Sequence, residues 1–174
     1  MTASNKSTLN ASRQERFLKA VELLSSARSY TRLGAVHALV ALADEYLADQ
    51  ALQAEEKHAE GQRIVDILCA YIRSPFELTS HYYELNREEL TGFYADSPEK
   101  FSADRAAFRE EAHIRQTLIE TISNRMRWSL ADGVAELPRG YPEHDCVVPG
   151  NWSEFMYDFS GSVFFYPVDF VRTF

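Results

Sequence analysis

The sequence predicts a mainly α-helical protein that switches near its end to an aromatic, strand-like pattern. Two observations predict the helices and the switch. Apolar residues recur at helical spacing from Phe17 to Met126, and then Gly133, Pro138, Gly140, Pro142, Pro149 and Gly150 interrupt any helix repeatedly. The third observation is the composition of the C-terminal end. From Trp152 to Phe174 aromatic and β-branched residues dominate, and no helical period fits them.

Residues 1–11 are rich in Ser, Thr, Asn and Lys and read as a flexible tail. A first helix is expected from Ser12, where Ser12 and Glu15 form a capping-box pattern, each side chain meeting the other residue's backbone N–H. Phe17, Val21 and Leu24 follow at helical spacing with Leu18 beside them, and Ser25, Ser26 and Ser29 end the element. A second helix is predicted over Thr31 to Ala48. Leu33, Val36, Val40 and Ala43 mark its face, Leu39 and Leu42 widen it, and Gly34 leaves room for a close helix approach.

Asp49 to Gly61 is polar and fits a helix end or a loop. A third helix is placed over Gln62 to Arg73. Its Ile64, Val65, Ile67, Leu68, Tyr71 and Ile72 cover most of the circumference, so it should be central. Ser74-Pro75 stops it. Residues 76–101 carry many aromatics among polar groups and read as an aromatic insert with a short helix near Arg87 to Tyr94. A long helix is expected from Asp104 to Trp128. Phe108, Ala112, Ile119, Ile122 and Met126 form its stripe, Ile114 and Leu118 flank it, and His113 lies on the polar side.

Composition bounds what such a chain can do. The 174 residues fit one domain, and the 45% apolar and 25% charged fractions are those of a globular protein. A chain of this length buries roughly 70% of its unfolded surface, so it needs no metal or disulfide staple. The net charge of −8 opposes phosphate backbones and anionic leaflets, which disfavours direct nucleic-acid or membrane binding. Cys69, in an apolar run, reads as a small buried hydrophobe, and with Cys146 makes no disulfide framework. Met1 to Ser12 lacks the apolar stretch of a signal peptide, and Leu33 to Ala43 is too short to span a bilayer. A cytoplasmic location is the resulting expectation.

Three patterns carry chemistry in other contexts. Glu55 with His58 and Glu110 with His113 are Glu-x-x-His pairs, the spacing by which helical bundles hold two carboxylate-bridged metals. Neither pair sits on an apolar stripe, so solvated charged faces are expected and no metal ligand is assigned. His144 and Cys146 have no second Cys or His pair at zinc-finger spacing and no base arrangement around the thiol. His37 reads as a packed or half-exposed side chain. No phosphate-binding loop or nucleophile elbow is present, and no catalytic residue or cofactor is assigned.

The C-terminal phenylalanines suggest a different architecture. Phe159, Phe164, Phe170 and Phe174 recur at intervals near five, Asp158 and Asp169 precede two of them, and Ser160, Gly161 and Ser162 fill one gap. Asp158-Phe159-Ser-Gly-Ser-Val-Phe164 and Val168-Asp169-Phe170 resemble pentapeptide repeats. Arg16-Phe17, Ala20 to Leu24, Thr31 to Leu39 and Ile64 to Arg73 are similar to the helical, HEAT-like region that precedes the repeats in bacterial pentapeptide-repeat proteins. The run Arg115 to Arg127 resembles the last helix before them. The likeness covers residues 13–73 and 108–174 in order, with Leu68-Cys69-Ala70-Tyr71-Ile72-Arg73 its most specific part.

The resemblance implies a mainly α fold of HEAT-like helical hairpins with a short C-terminal pentapeptide-repeat-type β turn. The expected organisation is a tail at 1–11, a helical HEAT-like domain at 12–130 with its insert at 76–101, a Pro/Gly-rich connector at 131–151 and an incomplete pentapeptide-repeat segment at 152–174. It also implies a non-catalytic interaction or scaffold module. A protein partner, or a second copy, would be met through the C-terminal segment. The candidate interaction surface is Tyr82, Tyr83, Phe159, Phe164, Phe170 and Phe174. The aromatics of 76–101 are otherwise expected to cover the helical core as a lid. Two alternatives stand beside this reading. One is a di-metal carboxylate protein built on the Glu-x-x-His pairs. The other is a nucleic-acid mimic that inhibits a DNA-processing enzyme, a role that belongs to long acidic members of the family.

Overall fold

The computed structural model describes residues 3–130 and 147–169. Five α-helices dominate it: α1 (Ala3–Leu24), α2 (Ser29–Ala48), α3 (Ala54–Arg73), the single turn α4 (Tyr82–Leu85) and α5 (Pro98–Met126). Short 3₁₀ turns at Glu77–His81 and Gly92–Tyr94 flank α4. A minimal antiparallel ladder pairs β1 (Ser129–Leu130) with β2 (Val147–Val148).

The helix boundaries differ from expectation at their N-termini, each time for a local reason. Helix α1 begins at Ala3, so Ser12 lies within it and residues 3–11 are helical rather than a tail. No Gly or Pro occurs before Gly34 to stop it, and polar composition alone does not end a helix. Helix α3 starts at Ala54, well before Gln62. The Glu56 carboxylate accepts the backbone N–H of Gln53 at 3.2 Å, satisfying a donor at the helix entry, and Glu55 and Glu56 favour the positive end of the dipole. Helix α5 begins at Pro98, the helix position where a missing N–H costs nothing. The short helix expected near Arg87 to Tyr94 is replaced by α4 and a 3₁₀ turn.

The core forms as the apolar spacing dictates. Helix α2 contributes Val36, Leu39, Val40, Leu42 and Ala43, and α3 contributes Ile64, Val65, Leu68 and Ile72, all buried. Phe108, Ile114, Leu118, Ile119, Ile122 and Met126 are the matching face of α5. Cys69 is buried, and burial pushes its thiol up to about 11. One apolar-face assignment and one packing expectation fail. Leu18 is exposed, while Arg13 takes an inward position on α1. Gly34 faces open space instead of a neighbouring helix.

Side-chain pairs define the helix directions. Arg13 and Arg16 of α1 reach Glu45 of α2, and Arg13 also reaches Asp49, so α1 and α2 run antiparallel across a tight turn. Arg32 and Asp44 of α2 meet Glu111 and Arg125 of α5, so these two helices run parallel. Helix α2 is therefore central, with α1, α3 and α5 around it.

The chain after β2 packs as an irregular strap, residues 150–169, on α3 and α5. No strand lies in the strap, so its described part does not form the expected β turn of a solenoid. Nor does a five-residue inward period hold there. Phe165 and Tyr166 are buried, Phe159 is half-buried, and Phe164 is 41% exposed. The Asp-Phe-Ser-Gly-Ser string instead makes a turn. Asp158 Oδ1 accepts the Ser160 N–H at 2.9 Å, Ser162 N–H donates to the Phe159 carbonyl at 3.1 Å, and Gly161 adopts φ +72°. Phe170, Phe174, His144 and Cys146 lie outside the described residues, as does the connector from 131 to 146.

Candidate interaction surface

Aromatic rings form a continuous edge that joins the insert to the strap. Tyr83 meets Tyr82 edge-on at 5.5 Å, Tyr82 meets Phe108 at 6.1 Å, and Phe108 packs on Phe165 at 4.9 Å. The series continues through Tyr166 to Phe164 and Phe159. The structure thus joins Tyr82 and Tyr83 to Phe159 and Phe164, residues that are distant in sequence. The insert buries some of its apolar residues and exposes others. Leu85, Tyr94 and Phe101 are buried as a lid, whereas Tyr83 is 77% exposed and Phe93 58% exposed. Phe93 was not among the expected surface residues. It stacks on His81 at 4.5 Å with Lys100 Nζ 5.5 Å from its ring centre. Its neighbour Tyr94 donates to Asp104 at 2.9 Å, and burial with that carboxylate pushes the phenol up to about 12.

The strap is bound to α3 by its backbone. The Gln62 carboxamide donates to the Met156 carbonyl at 2.8 Å and accepts the Met156 N–H at 2.9 Å. Asp66, one turn on, accepts from the same amide nitrogen at 2.8 Å and orients it. His58 Nε2 lies 3.2 Å from the Glu154 carbonyl, and Arg73 pairs with Asp158. Phe155 fills a notch at Gly61, where an added methyl would lie 2.3 Å from its ring. His58, Gln62, Cys69 and Arg73 share one side of α3 by their spacing.

The strap's root caps α5. Trp152 is wholly buried, and its Nε1 donates to Asp44 at 2.9 Å. Arg125 grips both oxygens of the same carboxylate. The Trp152 N–H donates to the Arg125 carbonyl at 3.2 Å, and Ser153 Oγ to the Met126 carbonyl at 3.0 Å, satisfying acceptors that a helix end leaves open. Gly150 permits this approach, since a methyl there would lie 2.0 Å from the Arg125 carbonyl oxygen.

A buried polar hub joins α2, α3 and α5. Arg115 Nε donates to Glu111 at 2.7 Å, and its other nitrogens donate to the carbonyls of Ile72 at 2.8 Å and Ser74 at 2.9 Å. Glu111 also accepts from Arg32 at 3.0 Å and from the Tyr71 hydroxyl at 3.1 Å. Burial, reinforced by the Glu111 charge, pushes the Tyr71 phenol up to about 12. Apolar periodicity passes over Glu111 and Arg115 because charged residues normally face water. Their i,i+4 spacing beside the apolar stripe was the one available signal.

Glu55, His58, Glu110 and His113 are all exposed, and His58 is engaged by the strap. Among the described residues no three His, Cys, Asp or Glu side chains group as ligands for a metal ion. His37 is exposed on α2. No helix among the described residues is long and apolar enough to cross a membrane. No family model, curated protein or solved structure matches the chain.

Proposed function

We propose that this chain is a non-catalytic protein-interaction module that meets a protein partner through the exposed aromatic residues of its insert. The observation that carries the reading is that Tyr83 and Phe93 are exposed in an insert whose Leu85 and Tyr94 are wholly buried. Rigidly mounted aromatics offer large contact area at small entropic cost, and such residues are enriched at the centres of protein interfaces. In this reading the packed α1–α2 and α2–α3 pairs are HEAT-like layers, and the chain is a scaffold of the pentapeptide-repeat kind. Antiparallel helix packing supports the first half. Residue likeness alone supports the second.

Selection of displayed small-domain ligands against the full chain tests the reading, with a Tyr83→Ala/Phe93→Ala variant as counter-target. Both side chains are exposed, so the variant should melt as the parent does. Ligands that bind the variant at least tenfold more weakly are the expected result. A selection that yields only ligands indifferent to both positions would sink the proposal.

A further inference from the structure

The contacts between the strap and α3 are those by which a helical surface holds a separate extended peptide. One side-chain amide reads both backbone groups of Met156, whose side chain is 74% exposed, so the contact there is to main chain and not to residue type. Residue type is read on either side. The Gly61 notch admits the Phe155 ring, and Arg73 meets the Asp158 carboxylate. A cavity of about 260 Å³ lies past the C-terminal end of α3, bordered by Arg73, Phe76, Arg115 and Val163. From Glu154 to Asp158 only two residues have a backbone group bonded to α3. Apart from the buried Phe155 ring, this stretch is held to α3 by few bonds, the mark of a segment that opens locally without the whole fold.

We propose that this side of α3 is a binding groove for an extended peptide in which an aromatic residue is followed, three positions on, by an acidic one. Residues 155–158 are its internal occupant. The aromatic ring enters at Gly61, Gln62 holds the backbone of the following residue, and Arg73 takes the acidic side chain. The strap competes from within the same chain at high effective concentration, so an outside peptide enters only when the strap lifts or its tether is cut. The groove lies on α3 and stands independently of the exposed Tyr83 and Phe93.

The test uses the whole chain with a protease recognition sequence placed between Leu130 and Val147, cut after purification. The probe is a fluorescein-labelled synthetic peptide of residues 147–169. The expected result is saturable exchange of the labelled peptide for the cut segment with no loss of helical circular dichroism. Gln62→Ala should speed peptide release about tenfold, as loss of two hydrogen bonds of roughly 0.7 kcal/mol each implies. Gly61→Ala should also block the ring while favouring the helix itself, so weaker binding with intact helicity separates the groove from general damage. A peptide carrying Asp158→Lys should compete poorly. Loss of helical signal on cutting, or exchange unaffected by Gln62→Ala, would overturn the groove. A dimer of the uncut chain that Gln62→Ala abolishes would overturn the choice of occupant, because a second copy would then supply it.

Discussion

Helix α3 is held from two sides, and the two contacts differ in kind. Toward α2 and α5 it buries Ile64, Val65, Leu68 and Ile72, and its end is fastened to the Arg115–Glu111 pair. Toward the strap it offers polar side chains, one glycine notch and a half-exposed ion pair. The inner contact gains from apolar burial and carries the cost of a desolvated charge pair, so it is strong and intolerant of change. The outer contact rests on main-chain hydrogen bonds and a ring in a notch. It should weaken by degrees. One helix can thus serve as a core element on one face and as a receptor on the other.

The largest expected effect is at the inner contact. Glu111→Ala strands the buried Arg115 guanidinium and should cost about 3–5 kcal/mol in urea unfolding. A Glu111→Leu/Arg115→Met variant, which removes both charges, should lose much less. Equal losses in the two would break the view that the unpaired charge is what costs.

Phe155→Ala comes next, at about 3 kcal/mol for a buried ring at the edge of the core. Its signature should be local. In a Cys146→Ser background, Cys69 lies on the strap side of α3 beneath the Tyr157 region, so its alkylation should accelerate before global unfolding does. Alkylation that tracks helix loss one for one would merge the two contacts into a single cooperative unit.

Titration separates them further. Tyr71, Tyr94 and Tyr166 are each raised to about 12 by burial, against about 10 in an unfolded chain. A raised phenol keeps its full stabilising effect below pH 10 and loses it as pH rises toward 12, because only the unfolded chain releases the proton. Stability measured across pH 9–12 should fall progressively, and Tyr94→Phe should flatten part of that fall. The smallest expected effect is Arg73→Ala, below about 1 kcal/mol, because the Arg73–Asp158 pair is largely exposed. A larger loss would mean that the outer contact is less graded than its geometry indicates.

The apolar framework is legible in the sequence because burial imposes a period. Phe108, Ile119, Ile122 and Met126 announce the face of α5, and Ile64 to Ile72 announce the buried face of α3, although the central place expected for α3 belongs to α2. Helix starts are less legible. They depend on single backbone donors, as at Gln53 with Glu56, and on Pro98, which reads as a breaker unless its place at the first helical position is recognised. The strap departs from the expected coil for a physical reason. Aromatic residues with Asp, Ser and Gly suit both a repeat coil and a turn, and only tertiary neighbours such as Phe108, Gly61 and Arg73 decide between them. Of the candidate surface, nothing local separates the exposed Tyr83 from the buried Tyr94, and packing decides between them. Phe93 and Gln62 carry no periodic signal at all.

The Arg115 guanidinium also bears on the order in which the chain folds. The carbonyls of Ile72 and Ser74 at the end of α3 receive their partner from a residue some forty positions later in the chain. The last turn of α3 is therefore completed only when α5 arrives, after the intervening aromatic insert has been traversed. Closing so long a loop is slow relative to forming a helical hairpin. The α1–α2 hairpin can assemble early, while the end of α3 waits for a distant side chain to finish it.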